Sequence, residues 1–443
     1  MKILLVVCVF SLTQFNLFGQ DKDTIPNSLD VFRTFYSHYS TDSLGYSRVF
    51  LEKKPRGWFI LTKKVTDNKV VDDKRLLYYD FLTRQFLPLD LPRANKEVID
   101  ATDYIDPFDL EYFNLYPYYG YNGWYKDVIA KLEAQKIYAD QDLYLLARAY
   151  SAFATSLLSN QFGYGVPEEC FNPPLKPNSL TVSQANQYQA ICKKASDLFA
   201  QLKKQNPMFN TIVGNISIKY ANEIVTPFHC LMAYAPEYAK NIKLPDKLYP
   251  DSIIQQARDW MNNCPEGSIF LSFGDNDFYP LLYLQQHDGF RKDIYVVSYN
   301  LLGMDRYIYA YSRPLFKAKG VAFAADTAIY SNERNYYVYL DDSDHVFGMN
   351  QLLNSMRTRI DKEVPNLAGN TVAITLKTDG TFRTNTNFKI DGSYIGMNQW
   401  ILLDIIDHLN GRPLVLPNQF YDQLKNLNNY LNWNGKVFRY ENY

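Results

Sequence analysis

The stretch "GSIFLSFGDNDFYPLLYLQQHDGFRKDIYVVSYNLL", residues 267–302, decides how the last third of the chain folds. Its two apolar runs, "GSIFLSFG" and "DIYVVSYNLL", have the length of strands buried on both faces, and "DFYPLLYLQQH" between them reads as a helix. Strand, helix and strand make a βαβ unit with parallel strands and a right-handed crossover. Asp275-Asn276-Asp277 stands where the first strand meets the helix. Two carboxylates two residues apart in a tight turn can face one hard cation, and the carboxyl ends of parallel strands are where α/β sheets take ligands. The rival duty is structural: an aspartate at a helix start caps free backbone N–H groups and suits the helix dipole. With only three residues of motif and no glycine-rich phosphate loop before them, the sequence favours the cap.

Working outward, residues 266–443 read as an α/β module. "TVAITLKTDGTFRTN" is two strands around the turn Asp379-Gly380, "MNQWILLDIIDHLNG" a helix ended by Gly411, "RPLVLP" a strand and "FYDQLKNLNNYL" a last helix before a tail. Residues 110–265 are helical: "WYKDVIAKLEAQ", "DQDLYLLARAYSAFATSLLSN" and "VSQANQYQAICKKASDLFAQLKKQNP" carry apolar residues at helical spacing, with Ser183 as a start and Pro207 as a stop. Helix, proline and helix in succession resemble tetratricopeptide-type repeats, which implies stacked hairpins. Residues 21–109 are β-rich, a polar arm at 21–45 followed by an antiparallel meander at 46–92. Residues 1–20, with Lys2 and the apolar run "ILLVVCVFSL", predict a signal peptide, and that run is too short to span a bilayer. The expected class is α+β multidomain.

Composition narrows the function. Of 443 residues, 46 are basic and 47 acidic, and no basic block stands out, so nucleic acid is not an expected partner. Four cysteines follow the leader, Cys170, Cys192, Cys230 and Cys264; in an oxidising compartment they permit two disulfides, and buried reduced thiols are the other reading. The five histidines are scattered, with no HExxH and no CxxC, so no zinc site is read. His229 beside Cys230 has no motif that ties it to a nucleophile's partners. "LDDSD" at 340–344 lacks the glycine and distal glutamate of a calcium loop and reads as a solvated turn.

An aromatic run, "YPYYGYNGWY" at 116–125, places six rings in ten residues. Tyr118, Tyr119, Tyr121 and Trp124 are candidates for stacking on a glycan or partner chain. The structural reading, which the sequence favours, packs the first helix of the helical region onto the β region.

The wider motif "GDNDFYPLLYLQQHDGFRKDIYVVSYNLL" resembles a segment in the soluble C-terminal portion of bacterial multi-spanning glycosyltransferase-like membrane proteins, related to protein O-mannosyltransferases. The residues that carry the resemblance are Gly274 to Asp277, Pro280-Leu281, Tyr283, Gly289, Arg291, Asp293 and Val296-Val297. "LLDIIDHLNGRPLVLP" adds Leu403, Asp404, Ile405, Arg412 and Pro413. The resemblance implies helical repeats beside an α/β module, with Arg291 and Arg412 joining Asp275, Asn276 and Asp277 as ligand-binding candidates. The membrane part of that family is absent, which implies that this chain does not catalyse transfer alone. The expectation is an exported, non-enzymatic scaffold or binding protein of the bacterial cell envelope. It would reside in the periplasm or at the outer-membrane periphery and hold a protein or glycan-bearing partner, with no cofactor and no transmembrane segment once the leader is removed. Peripheral association with a membrane complex would fit that role. The alternative is a component of envelope glycan transfer that uses a divalent cation at Asp275 and Asp277.

Overall fold

The computed structural model describes residues 26–39, 48–66, 69–93, 121–135, 137–159, 165–211, 213–325, 330, 396–422 and 424–441, with short strands at 335–340, 346–348, 363–365, 371–376 and 387–389. The fold is α+β: an antiparallel sheet, a helical middle and a mixed C-terminal sheet.

The described part opens on a helix, α1 (Ser28–His38), where the sequence predicts a loose polar arm. Leu29, Val31, Phe32 and Phe35 fall on one face and are buried, and the Asn27 side chain caps the start by accepting from Asp30 N. The apolar residues are few but sit at helical spacing, and that periodicity outweighs the polar composition. The predicted meander is present as β1 (Arg48–Lys54), β2 (Gly57–Thr66), β3 (Lys69–Asp80) and β4 (Gln85–Phe86), each antiparallel to the next. A fifth strand, β5 (Tyr121–Asn122), comes from the aromatic run and joins β1 in parallel. Gly123 follows with φ +79°, a left-handed conformation that suits glycine, and turns the chain into α2 (Trp124–Leu132).

The helical middle continues with α3 (Asp140–Leu158) and α4 (Val182–Gln205). A small hairpin, β6 (Asn210–Thr211) and β7 (Gly214–Asn215), leads to α5 (Ile216–Leu231) and then α6 (Asp251–Asn262). The cap of α4 is Thr181, not Ser183: Thr181 and Gln184 form a reciprocal capping box, and the helix ends before Pro207 as expected.

The βαβ unit is β8 (Ile269–Ser272), α7 (Asp275–His287) and β9 (Tyr295–Ser298), with β8 and β9 parallel over four residue pairs. A short helix, α8 (Asp305–Tyr311), follows. Then come β10 (Asn335–Leu340), β11 (Val346–Gly348), β12 (Glu363–Pro365), β13 (Thr371–Leu376) and β14 (Asn387–Lys389). Of the predicted hairpin at Asp379-Gly380, the first strand is β13, which pairs with β10 and β12; the turn and second strand lie outside the described residues, as does 341–344. The chain closes with α9 (Met397–Asp407), β15 (Leu414–Leu416), β16 (Leu431–Trp433) and β17 (Phe438–Tyr440). The main sheet has order β16-β17-β15-β8-β9. The predicted last helix is a 3-10 turn at Lys425–Tyr430, and the tail is a strand antiparallel to β15. A sheet edge supplies hydrogen bonds that a short polar helix cannot match.

Among the described residues two hydrophobic cores result, and neither stops at a predicted boundary. One runs across residue 265, joining Phe228, Leu231 and Met261 to Phe270, Leu281 and Leu402. The other joins α1 and the first sheet to α2, α3 and the end of α4. Helix α4 has 24 residues and is about 36 Å long. Its first half gives Ala185, Tyr188 and Cys192 to the first core, and its second half gives Ala195, Phe199 and Leu202 to the other. Among the described residues the helical region thus shares its buried side chains with both cores and bridges the two sheets.

Candidate functional site

The Gly274–Asp277 corner lies at the carboxyl end of β8, where the sequence placed it. The backbone of Gly274 is the cap of α7, and no side chain caps that end. Asp275 and Asp277 are instead the first and third helical residues, where their charge suits the dipole. The pinning falls to the residue between them. Asn276 Nδ2 donates to Val213 O at 2.8 Å, and Asn276 Oδ1 accepts from Asn222 Nδ2 at 3.2 Å. Asn222 is in turn held by Tyr249 Oη, 2.9 Å from its Oδ1. Burial pushes both carboxyls up from the ordinary aspartate range.

Asp275 borders a buried charge cluster. On α5, Lys219 and Glu223 stand one turn apart and form an ion pair in which both side chains are largely buried. Ser151 Oγ of α3 donates to Glu223 Oε2 at 2.9 Å, and Arg148 of the same helix faces the pair. Burial pushes the Glu223 carboxyl up, but Lys219 and Arg148, with hydrogen bonds from Lys219 and Ser151, bring it below the ordinary range. Lys219 and Arg148 also act on Asp275. Two cations and two carboxylates therefore balance one another. Asp277 does not share these cations, its carboxyl being shifted by burial alone, and among the described residues no three His, Cys, Asp or Glu side chains gather.

Glu223 has a second exposure, to an open groove of about 510 Å³. The groove runs between α4 and α5 and is lined by Asn186, Gln189, Lys193, Glu223, Lys243 and Pro245, among others. Tyr238 Oη lies 2.6 Å from Asn186 Oδ1 and 2.7 Å from Gln189 Oε1, and its single proton is donated to one or other of the two amide oxygens.

The remaining candidates are elsewhere. Arg291 grips Asp293 through Nε and Nη2, both at 2.9 Å, and donates to the carbonyls of Met261, Cys264 and Pro265. Arg412 donates to Gly267 O at 2.7 Å and Gly320 O at 2.9 Å. Both guanidinium groups therefore work at the amino end of β8, a strand length away from Asp275, and hold backbone. Asp404 does likewise, accepting from Ala324 N and Ala325 N at 3.1 and 2.8 Å. Trp124 is 3% exposed in the second core, which leaves its ring no face for a glycan. Tyr121 contributes its backbone to β5, and Tyr118 and Tyr119 lie outside the described residues. His229 is a neutral core histidine: burial and then Arg306 bring it down to about 3, and its ring stacks on Tyr307 at 4.5 Å. The four cysteines form no disulfide, and Cys192, Cys230 and Cys264 are buried.

The Arg291 hydrogen bonds to Asp293, over a smaller burial effect, bring that carboxyl down to about 2 from 3.8. A lowered folded value contributes stability above about pH 4 that is lost as pH falls through about 2. Asp293→Asn is expected to be less stable than the parent at pH 7, and the gap should narrow below pH 3. Urea midpoints at both pH values check this, and an equal gap would exclude the clamp.

The groove was not read from the sequence. One signal was available: "ISIKYANEIVTPFHCL" puts Lys219 and Glu223 four apart in an otherwise apolar helix, a spacing that lets them pair when buried.

Residues 253–371 match the family described as TMEM260-associated domain 2; TMEM260 is a protein O-mannosyltransferase-like protein. The match takes in most of α6, the βαβ unit, α8 and the strands β10 to β12. Comparisons with curated proteins and with solved structures found no match. Among the described residues no helix is long and apolar enough to cross a membrane.

Proposed function

We propose that this chain is a non-enzymatic binding component of the bacterial cell envelope, exported to the periplasm or outer-membrane periphery, which holds a glycan-bearing partner in the α4–α5 groove. The groove is the observation that carries this reading. Its volume of about 510 Å³ suits a ligand site. Its walls offer two amides, two lysines and a carboxylate, and amides both donate and accept, as sugar hydroxyls require. Tyr238 Oη stands within hydrogen-bond distance of both amides and orients the one that takes its proton. The matched domain points the same way, toward proteins concerned with sugar transfer. The Asp275 cluster is structural in this reading, a neutralised joint beneath the groove.

The test is calorimetric titration of the mature chain with neutral mannose-containing oligosaccharides and with unglycosylated peptides. Binding of the oligosaccharide is expected, and Gln189→Ala should weaken it about tenfold, the worth of one or two hydrogen bonds. No binding, or binding that ignores Gln189→Ala, overturns the groove. A thermal midpoint raised by Mn²⁺ in the parent but not in Asp275→Ala would establish the cation reading instead.

A further inference from the structure

One wall of the groove is the segment 240–246, which supplies Ile242, Lys243 and Pro245. The last turns of α7 hold that segment. Gln286 Nε2 donates to Lys240 O at 3.1 Å and Ile242 O at 2.8 Å, and Tyr283 Oη donates to Pro245 O at 3.0 Å. His287 completes the set. Its imidazole stacks on the Tyr283 ring at 4.9 Å and has a carboxylate oxygen on each nitrogen, Asp246 Oδ1 at 2.8 Å from Nε2 and Asp288 Oδ1 at 2.5 Å from Nδ1.

A neutral imidazole has one N–H and one bare lone pair, and an ionised carboxylate only accepts. In the neutral form one of the two contacts therefore sets lone pair against lone pair. The imidazolium donates to both. We propose that protonated His287 is the catch that holds the 240–246 wall against α7, and that loss of the proton loosens this side of the groove. The inference rests on the groove being the binding site and adds how it is regulated.

The charged groups around His287 support that direction. Asp288 follows it in the chain, Asp246 comes from the wall, and Arg258 comes from α6, where it ion-pairs with Asp288 and offsets part of its pull. Two carboxylates against one guanidinium leave the surroundings negative. The Asp288 hydrogen bond, joined by Asp246 against a smaller burial effect, holds His287 above its ordinary value of 6.5. A raised folded value means that the catch is complete below that ordinary value and is lost as pH rises through the higher one. Among the described contacts on the wall, this is the one made by a histidine, the side chain whose ordinary value lies nearest neutrality. The Asp246 side chain is exposed, so salt should weaken the catch.

The test combines a proton NMR titration of the histidines with amide exchange of residues 240–246 at pH 5.5 and 8.0, corrected for intrinsic rates. His287 should titrate above 6.5, and Asp246→Asn should lower its midpoint. Protection of the wall should fall about threefold between the two pH values, the scale of an exposed ion pair, and His287→Gln should abolish that difference. A His287 midpoint at or below 6.5, or equal protection at both pH values in the parent, overturns the catch. Protection that follows His287 in a chain that binds no oligosaccharide supports the catch and sinks the groove as a glycan site.

Discussion

Glu223→Leu is expected to destabilise the chain by about 3–5 kcal/mol, because it leaves a buried cation without its partner. Lys219 is 6% exposed, and its ammonium pairs with Glu223 one turn along α5. Removing that carboxylate takes away the ion-pair partner of a buried ammonium and leaves Asp275 as the carboxylate on which Lys219 acts. Replacing the pair together should behave differently. In Lys219→Met with Glu223→Leu, Arg148 and Asp275 remain balanced, and two apolar side chains fill the space. Most of the loss should return, since buried ion pairs are often no better than apolar groups of their own volume. Urea unfolding followed by circular dichroism separates these cases. A single variant within about 1 kcal/mol of the parent, or a double variant no better than the single, would show that the cluster is not a closed balance of charge.

The second large effect concerns the helix that joins the two cores. Phe199 is fully buried in the second half of α4, with its ring 6.1 Å from Tyr144 and the Lys219 ammonium over its face at 5.3 Å. Phe199→Ala is expected to cost about 3–5 kcal/mol through lost burial and the cavity left behind. Its reach should exceed the core it sits in. The same rigid helix supplies Ala185, Tyr188 and Cys192 to the other core, so loosening its second half should raise amide exchange in β8 as well as in β2. Faster exchange confined to the N-terminal sheet would mean that α4 does not couple the two halves.

The elements that could be read from the chain were those with local causes. The βαβ unit follows from two short apolar runs flanking a helical stretch, and the meander from alternating β-branched and aromatic residues between turns. Helix α4 follows from apolar residues at every third or fourth position. Helix α1 has a local cause too, the spacing of Leu29, Val31, Phe32 and Phe35, but its polar composition masks it. The tail has no local cause: β17 is a strand of three residues with no signal of its own, and its pairing with β15 exists only once the sheet is assembled.

The corner at Asp275-Asn276-Asp277 divides in the same way. Sequence alone placed it between a strand and a helix, since the change from buried run to helical spacing occurs there. It also makes Asn276 a ligand-binding candidate beside the two carboxylates, without showing that this amide pins the corner to other elements. Only the tertiary structure brings Val213 and Asn222 to Asn276, and Lys219, Arg148 and Glu223 to Asp275. Those partners lie between about 50 and 130 positions away in the chain, and no pattern of neighbours records them. The groove and the His287 contact have the same origin. Amides on α4, a carboxylate on α5 and a loop wall become one site because helices pack side by side, and packing sets distances that spacing along a single chain does not contain.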